Sequence, residues 1–189
     1  MSRQAQHRNA IIHAAATLFR KQGYSATGMN DIVAASGAPK GSLYHYFPEG
    51  KEQLGKEAVR HAGMHAAKTL VDLAVKHDTA ASLLTAYGDE LAGWMTQSDF
   101  QEGCPITTVL LETTPSSEAI RLAGREAFRS WREVFERALL QDGMEPSQAA
   151  RLAALAISAL EGAMVQARVE RSGVPIKDAA KEIAKLFAR

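Results

Sequence analysis

The placement of glycine and proline between residues 23 and 48 constrains this chain more than any other feature. An amphipathic helical pattern from about Gln4 to Gln22, carried by Ile11, Ile12, Ala15, Leu18 and Phe19 at three- and four-residue intervals, is closed by Gly23. Two much shorter helical segments come next. Thr27 is placed to cap the first, Asp31 lies in its opening turn where the helix dipole favours a carboxylate, Ile32 and Val33 face inward, and Gly37 ends it. Pro39 opens the second, because its fixed φ suits a first helical position, and Leu43, Tyr44 and Phe47 carry one face until Pro48 stops it.

From Lys51 to about His77 the helical pattern runs without a proline, which at about 1.5 Å per residue gives a connecting rod of about 40 Å. Further helices are expected over 80–97, 106–113, 117–141, 147–171 and 176–187, separated by turn signals at Cys104-Pro105, Thr114-Pro115, Asp142-Gly143, Glu145-Pro146 and Gly173-Val174-Pro175. Apolar alternation with β-branched residues occurs only around Ile106-Thr107-Thr108-Val109, too short to argue for a strand. The expectation is an all-α fold of about nine helices, with a three-helix domain over residues 1–50 and a helical remainder over 51–189.

At 189 residues, 46% hydrophobic and 23% charged, the chain is long enough to bury a real core, and it shows no run expected to span a bilayer and no apolar leader. The expectation is a cytoplasmic protein without a membrane partner. A lone cysteine, Cys104, excludes an internal disulfide and a zinc site built from cysteine alone. The net charge of +1 divides unevenly: up to Arg60, eight Lys/Arg face four acids, whereas the rest carries 14 bases against 17 acids. A basic end on a mildly acidic body suits a protein whose N-terminal part meets a polyanion.

Two short helices separated by Ser36-Gly37-Ala38, the second displaying Lys40, Ser42, His45 and Tyr46, match a helix-turn-helix. A helix entering the major groove must be slim at its leading end, which Gly41 and Ser42 provide. Lys40 supplies positive charge, and Tyr44, His45 and Tyr46 offer donors and flat faces to the sugar-phosphate rim. Lys51, at the start of the long helix, joins its charge to that helix's free N–H groups as a further phosphate site. On spacing alone, a surface helix hairpin with its aromatics in the core fits equally well.

The run Leu18-Phe19, Gly23-Tyr24, Thr27-Gly28-Met29, Asp31-Ile32-Val33, Ser36 through Phe47 and Lys51-Glu52-Gln53-Leu54 resembles the N-terminal signature of TetR-family repressors across nearly all of residues 8–60. Pro39-Lys40-Gly41-Ser42-Leu43-Tyr44-His45 and Gly103-Cys104-Pro105-Ile106 are similar to the LmrA/YxaF-like branch. The resemblance implies a helix-turn-helix DNA-binding domain joined by a long helix to a ligand-binding and dimerisation domain. It implies DNA contacts from Thr27, Lys40, Gly41, Tyr44, His45 and Lys51, with Ser42 and Tyr46 beside them. Two departures from the general pattern stand out: Pro39 replaces a commonly polar residue, and Gly50 adds a residue before Lys51 and shifts it.

In that family the C-terminal helices form a ligand cavity and a two-fold dimer. Ala149, Ala150, Ala153, Ala154, Ala156, Ala159, Gly162 and Ala163 would let helices approach closely, while Leu152, Leu155, Leu160 and Met164, with Ile183, Leu186 and Phe187, supply apolar area for a four-helix dimer bundle. The alternative is a core internal to one chain. Candidate ligand-binding residues are Met64, Tyr87, Trp94, Phe128 and Trp131, with Cys104, Thr108 and Glu112 as polar anchors, although apolar residues at helical spacing are more often plain core. Gly63, Gly88, Gly93 and Gly124 sit within helical patterns at about 1 kcal/mol each relative to alanine, a cost that close helix packing usually offsets.

His61 and His65 have the spacing of a metal pair but lack a third ligand, and Cys104 beside a proline suits a buried, inert thiol. No Gly-x-Ser-x-Gly elbow, dinucleotide glycine pattern or phosphate-binding loop argues for an enzyme, and no cofactor or metal is implied. The sequence thus reads as a homodimeric repressor of a palindromic operator on double-stranded DNA, released by a small, hydrophobic effector. The alternatives are a non-allosteric DNA-binding regulator acting through a protein partner and, more distantly, a helical-bundle enzyme or carrier.

Overall fold

The computed structural model describes residues 3–39 and 41–188. Nine helices and no strand occur among the described residues: α1 (Arg3–Gln22), α2 (Met29–Ser36), α3 (Ser42–Tyr46), α4 (Lys51–Ala74), α5 (Ala80–Gln97), α6 (Thr107–Thr113), α7 (Glu118–Gln141), α8 (Pro146–Glu170) and α9 (Val174–Phe187). The chain divides into two compact units, one of residues 1–64 with 104–127 and the other of 65–103 with 128–189.

In the first unit α1 is the hub against which α2, α3 and α6 pack. Its apolar stripe, Ile11, Ile12, Ala15 and Phe19, is buried together with Ile32 and Val33 of α2, Leu43 of α3 and Phe47 just after it. Gly23 ends α1 at φ +89°, a conformation that carries little penalty only for a residue without a Cβ, and its N–H returns to the Phe19 carbonyl at 3.0 Å. Gly37 closes α2 in the same left-handed region, at φ +64°. Each of the two turns that define the short helix pair is therefore fixed by a glycine.

Several boundaries differ from those the sequence suggested. Thr27 does not cap α2. Its side chain is turned wholly inward, where the hydroxyl donates to the Gly23 carbonyl at 2.7 Å and accepts from the Gln22 amide at 3.2 Å. Gly28 is the capping residue instead, and its N–H donates to the Asp31 carboxylate at 3.0 Å. Pro39 precedes α3 rather than opening it: its carbonyl accepts the Ser42 N–H at 2.9 Å in a turn, and the helix starts at Ser42. Helix α4 stops at Ala74 instead of His77, its end tightened by Val75 N–H to Val71 and Lys76 N–H to Leu73. Helix α8 starts at Pro146, where the Glu145 carboxylate accepts the N–H groups of Ser147 and Gln148 at 3.0 and 2.9 Å. Helix α9 starts at Val174 rather than Ile176, with its proline in the first turn.

In the second unit α9 packs against α5 and α8. A Cβ on Gly88 would lie 2.6 Å from the Ala180 Cβ, so the backbones of α5 and α9 meet where neither carries a large side chain. In the first unit close packing likewise accounts for Gly63, whose Cβ would meet Ala127 at 2.6 Å, and Gly124, whose Cβ would meet Leu110 at 2.5 Å, whereas Gly93 of the second unit faces open space. Ile183 and Phe187 are buried within this chain, as are Ala149, Ala153, Ala156, Leu160, Ala163 and Met164, so these residues form an internal core rather than a surface for a second copy. The opposite face of α8 is bare, with Leu155, Val165 and Val169 at 44%, 62% and 80% exposure. Against the expectation that no segment is apolar enough to cross a bilayer, α8 has the length and composition to do so, with a mean hydropathy of 1.4 over 18 residues. Only 39% of that stretch is buried. Its alanine- and leucine-rich core face and its valine-bearing outer face together account for this.

Candidate nucleic-acid interface

Helix α3 is only five residues long and too short to hold itself together in water. It is held by Leu43, buried at 1% exposure, and by Phe47 at 0%, whose N–H donates to the Leu43 carbonyl at 2.8 Å. The Arg8 guanidinium of α1 lies 5.5 Å over the Phe47 ring and pairs with Glu57 of α4 at 3.2 Å, so α1, α3 and α4 meet at this point. With one face anchored, the other is presented outward. Tyr44 is 62% exposed, His45 and Gly41 are exposed, and Ser42 and Tyr46 are half-buried. The His45 and Tyr46 rings stand edge to face, 5.1 Å apart, which restricts both side chains before any partner arrives. Lys40 lies outside the described residues.

Lys51 opens α4 and reaches back across the α1–α2 corner. Its ammonium donates to the Ser25 carbonyl at 3.3 Å and sits 4.6 Å over the Tyr24 ring. Partial burial lowers its pKa from the ordinary lysine value, and the nearby Glu112 carboxylate partly offsets this. The Tyr24 hydroxyl is pushed the other way, upward, by burial and then by Glu52. The Tyr24 ring packs between Phe19, 5.1 Å away, and the α4 backbone at Gly55, where a Cβ would come within 2.8 Å of the ring.

Glu112 occupies an unexpected place. From α6 it accepts the Tyr24 N–H at 2.9 Å through one oxygen and the Ser25 N–H at 2.7 Å through the other. Burial would raise its pKa, but hydrogen bonds from the Ser25 side chain and from the Ser25 and Tyr24 N–H groups, with the charge of Lys51, outweigh it and hold the carboxyl below the usual range. A side chain at position 23 would collide with Glu112, its Cβ 2.5 Å from Oε1, so glycine there serves the turn and the carboxylate alike. Tyr24 and Ser25 were not among the expected site residues. Beside the Tyr24 ring and the Ser25 side chain, their contacts run through backbone N–H and carbonyl groups, which leave no mark on residue type.

The eight residues expected at a ligand site divide between the units. Met64, Cys104, Thr108 and Glu112 belong to the first, and Tyr87, Trp94, Phe128 and Trp131 to the second. Met64 is 65% exposed, Cys104 is buried, and the half-buried Thr108 donates to the Cys104 carbonyl at 3.5 Å. Phe128 stands edge to face on the buried Trp131 at 5.3 Å, Tyr87 lies 6.1 Å from the Phe135 ring in the core, and Trp94 is 6.2 Å from His65. A cleft of about 200 Å³ in the second unit, among Val71, Val75, Leu83, Val134 and Arg137, includes none of the eight. Among the described residues, no group of three or more His, Cys, Asp or Glu side chains is arranged to hold a metal.

A buried hub helix, a glycine-closed turn and a short helix with an exposed polar face define a helix-turn-helix regulator. Residues 11–58 match the description "Bacterial regulatory proteins, tetR family", and residues 80–182 match "Transcriptional regulator LmrA/YxaF-like, C-terminal domain". The chain is 33% identical to the HTH-type transcriptional regulator YxaF of Bacillus subtilis (strain 168) over 100% of its own length and 99% of that protein's. It is 34% identical to the HTH-type transcriptional regulator LmrA of the same organism, over 96% of this chain and 97% of that one. In fold it is similar to the regulatory protein TetR from Rhodobacter sphaeroides, with a TM-score of 0.83 at 21% identity over 94% and 96% of the two chains. The chain belongs to the TetR family of bacterial transcriptional regulators, with a C-terminal domain of the LmrA/YxaF type. Proteins of this family bind DNA, act as dimers and are regulators rather than enzymes.

Proposed function

We propose that this chain is a cytoplasmic repressor that holds a palindromic operator as a homodimer and lets go when a small hydrophobic molecule binds. The observation that carries the reading is the division of α3 into an anchored face, Leu43 and Phe47, and an exposed one bearing Tyr44 and His45. Gly41 and Ser42 keep its leading end slim enough for base edges. Tyr44, His45 and Tyr46 meet the groove and its rim, and Lys40 and Lys51 meet phosphates. Thr27, fully enclosed, supports the α1–α2 corner rather than touching DNA with its side chain. Two copies would set their α3 helices about 34–36 Å apart, one turn of the duplex.

The dimer surface in this reading is the bare face of α8. Leu155, Gly162, Val165 and Val169 recur on it at three- to seven-residue intervals, and a helix so apolar and so little covered has a strong reason to pack against a copy of itself. Release needs an effector that prefers the non-binding arrangement by on the order of 10⁴-fold in total, an amount two sites can share. The reading is tested by titrating the chain with hydrophobic compounds while monitoring Trp94 and Trp131 fluorescence and DNA binding together. A compound that changes the fluorescence and weakens specific binding supports it. If none of the compounds that bind affects DNA affinity, the regulator works through a protein partner instead.

A further inference from the structure

Glu112 is an exposed carboxylate on a seven-residue helix, and its partners are far away in sequence: the N–H groups of Tyr24 and Ser25, 88 and 87 positions distant. The Ser25 carbonyl, one atom group further along the same stretch, receives the Lys51 ammonium, and the Tyr24 ring lies beneath that ammonium. The corner from Gly23 to Ser25 is thus held from three sides, by Glu112 of α6, Lys51 of α4 and the ring of Phe19 in α1. The backbone of this corner leads directly into α2, and Lys51 is the cation that rests on it.

A carboxylate with both oxygens engaged by backbone donors fixes that peptide far more tightly than either bond alone, because rotation at Tyr24 or Ser25 breaks one of the two. Moving the Ser25 carbonyl or the Tyr24 ring moves the site on which the Lys51 ammonium rests. The negative charge that performs this task would repel a phosphate, so Glu112 is poorly suited to touch DNA itself. Its value to DNA binding lies in where it puts other groups.

We propose that Glu112 is a positioning residue for DNA binding: by holding the Tyr24 and Ser25 N–H groups it sets the place of the Lys51 ammonium and the entry into α2, and specific affinity depends on it without direct contact. The proposal rests on the reading of Lys51 as a phosphate contact. It also takes Glu112 out of the set of effector anchors and ties α6 to the DNA face through one side chain.

The test is a double-substitution cycle on the full chain, using a duplex enriched from a random pool by the wild-type protein and read by fluorescence anisotropy at several salt concentrations. Lys51→Ala and Glu112→Gln are each expected to weaken binding about tenfold and to lower the salt slope by about one. The double variant should lose about tenfold as well, not about a hundredfold, because both changes remove the same contact. Glu112→Asp, too short to reach both N–H groups, should fall between. Losses that multiply in the double variant, or Glu112→Gln binding with wild-type affinity and slope while Lys51→Ala is weakened, would overturn the role of Glu112 alone. Lys51→Ala at wild-type affinity and slope would overturn the Lys51 reading and this proposal with it. A Glu112→Gln protein that melts earlier but, while folded, keeps the wild-type salt slope would show a purely structural role and overturn the proposal.

Discussion

At the scale of single residues, the α1–α2 corner shows how a few polar atoms can matter more than their number suggests. Glu112 and Lys51 are both near the surface, where an ion pair contributes little, so their importance lies in the backbone groups they hold rather than in their mutual attraction. The pKa of Glu112 is lowered in the folded chain, which means that its stabilising contribution is present above the ordinary carboxylate range and is lost as pH falls through the lowered value. The difference in melting temperature between the wild-type chain and Glu112→Gln is expected to be constant around and above neutral pH and to shrink only in acid, below the ordinary carboxylate range, as Glu112 takes up its proton. A difference that stays unchanged in acid until both chains unfold would assign the effect to shape rather than charge. Lys40→Ala, in the proposed contact set, is expected to lower the salt slope of DNA binding by about one with little change in base preference. The lysines proposed to meet phosphates and the glycines of both turns can be picked out in the sequence, because charge and absent side chains are written in residue type. Glu112's partners cannot, since those are main-chain N–H groups, nor can the inward turn of Thr27, since threonine suits a buried corner and an exposed cap equally.

At the scale of elements, helix existence is legible throughout the sequence and the ends are less so. Pro39 and Pro146 illustrate why: both satisfy the rule that proline opens a helix, yet Pro146 lies in the first turn of α8 while Pro39 sits ahead of α3 with its carbonyl in a turn. The neighbouring residues decide between the two outcomes, and at α8 the Glu145 carboxylate satisfies the first free N–H groups. The terminal helix departs from expectation for a different reason. Ile183 and Phe187 form an apolar stripe that serves a dimer seam and an internal core equally, and only the close approach of α9 to α5 at Gly88 and Ala180 decides for the core. Gly88→Leu should therefore separate α5 from α9 and destabilise the second unit by at least about 1–3 kcal/mol, measured by urea denaturation, whereas Gly93→Ala, facing open space, should be neutral or stabilising. Phe47→Ala should cost about 3–5 kcal/mol and release α3, so that DNA binding falls even in the fraction that remains folded.

At the scale of the whole molecule, the proposed function needs a short presented helix and a surface that pairs two chains. Replacing Val165 and Val169 together by aspartate places charge on the exposed face of α8 without disturbing the residues that α8 buries. The expected result in analytical ultracentrifugation is a monomer with unchanged helical content and specific DNA affinity reduced by about a hundredfold or more, since each copy alone offers one α3. The class of the protein is legible because the helix-turn-helix signature is local, a matter of neighbours in sequence. The proposed effector site is not, because apolar residues look the same in a sequence whether they face one another or a ligand. The most direct measurement of the central claim is selection of bound duplexes from a random pool by the full chain, with sequencing of the survivors. A paired repressor predicts enrichment of an inverted repeat whose half-site centres lie about one helical turn, roughly 10 to 10.5 base pairs, apart, with affinity lost when about half a turn of duplex is inserted between the halves. A pool that stays unenriched, or that yields a single half-site bound as tightly as the pair, would contradict it.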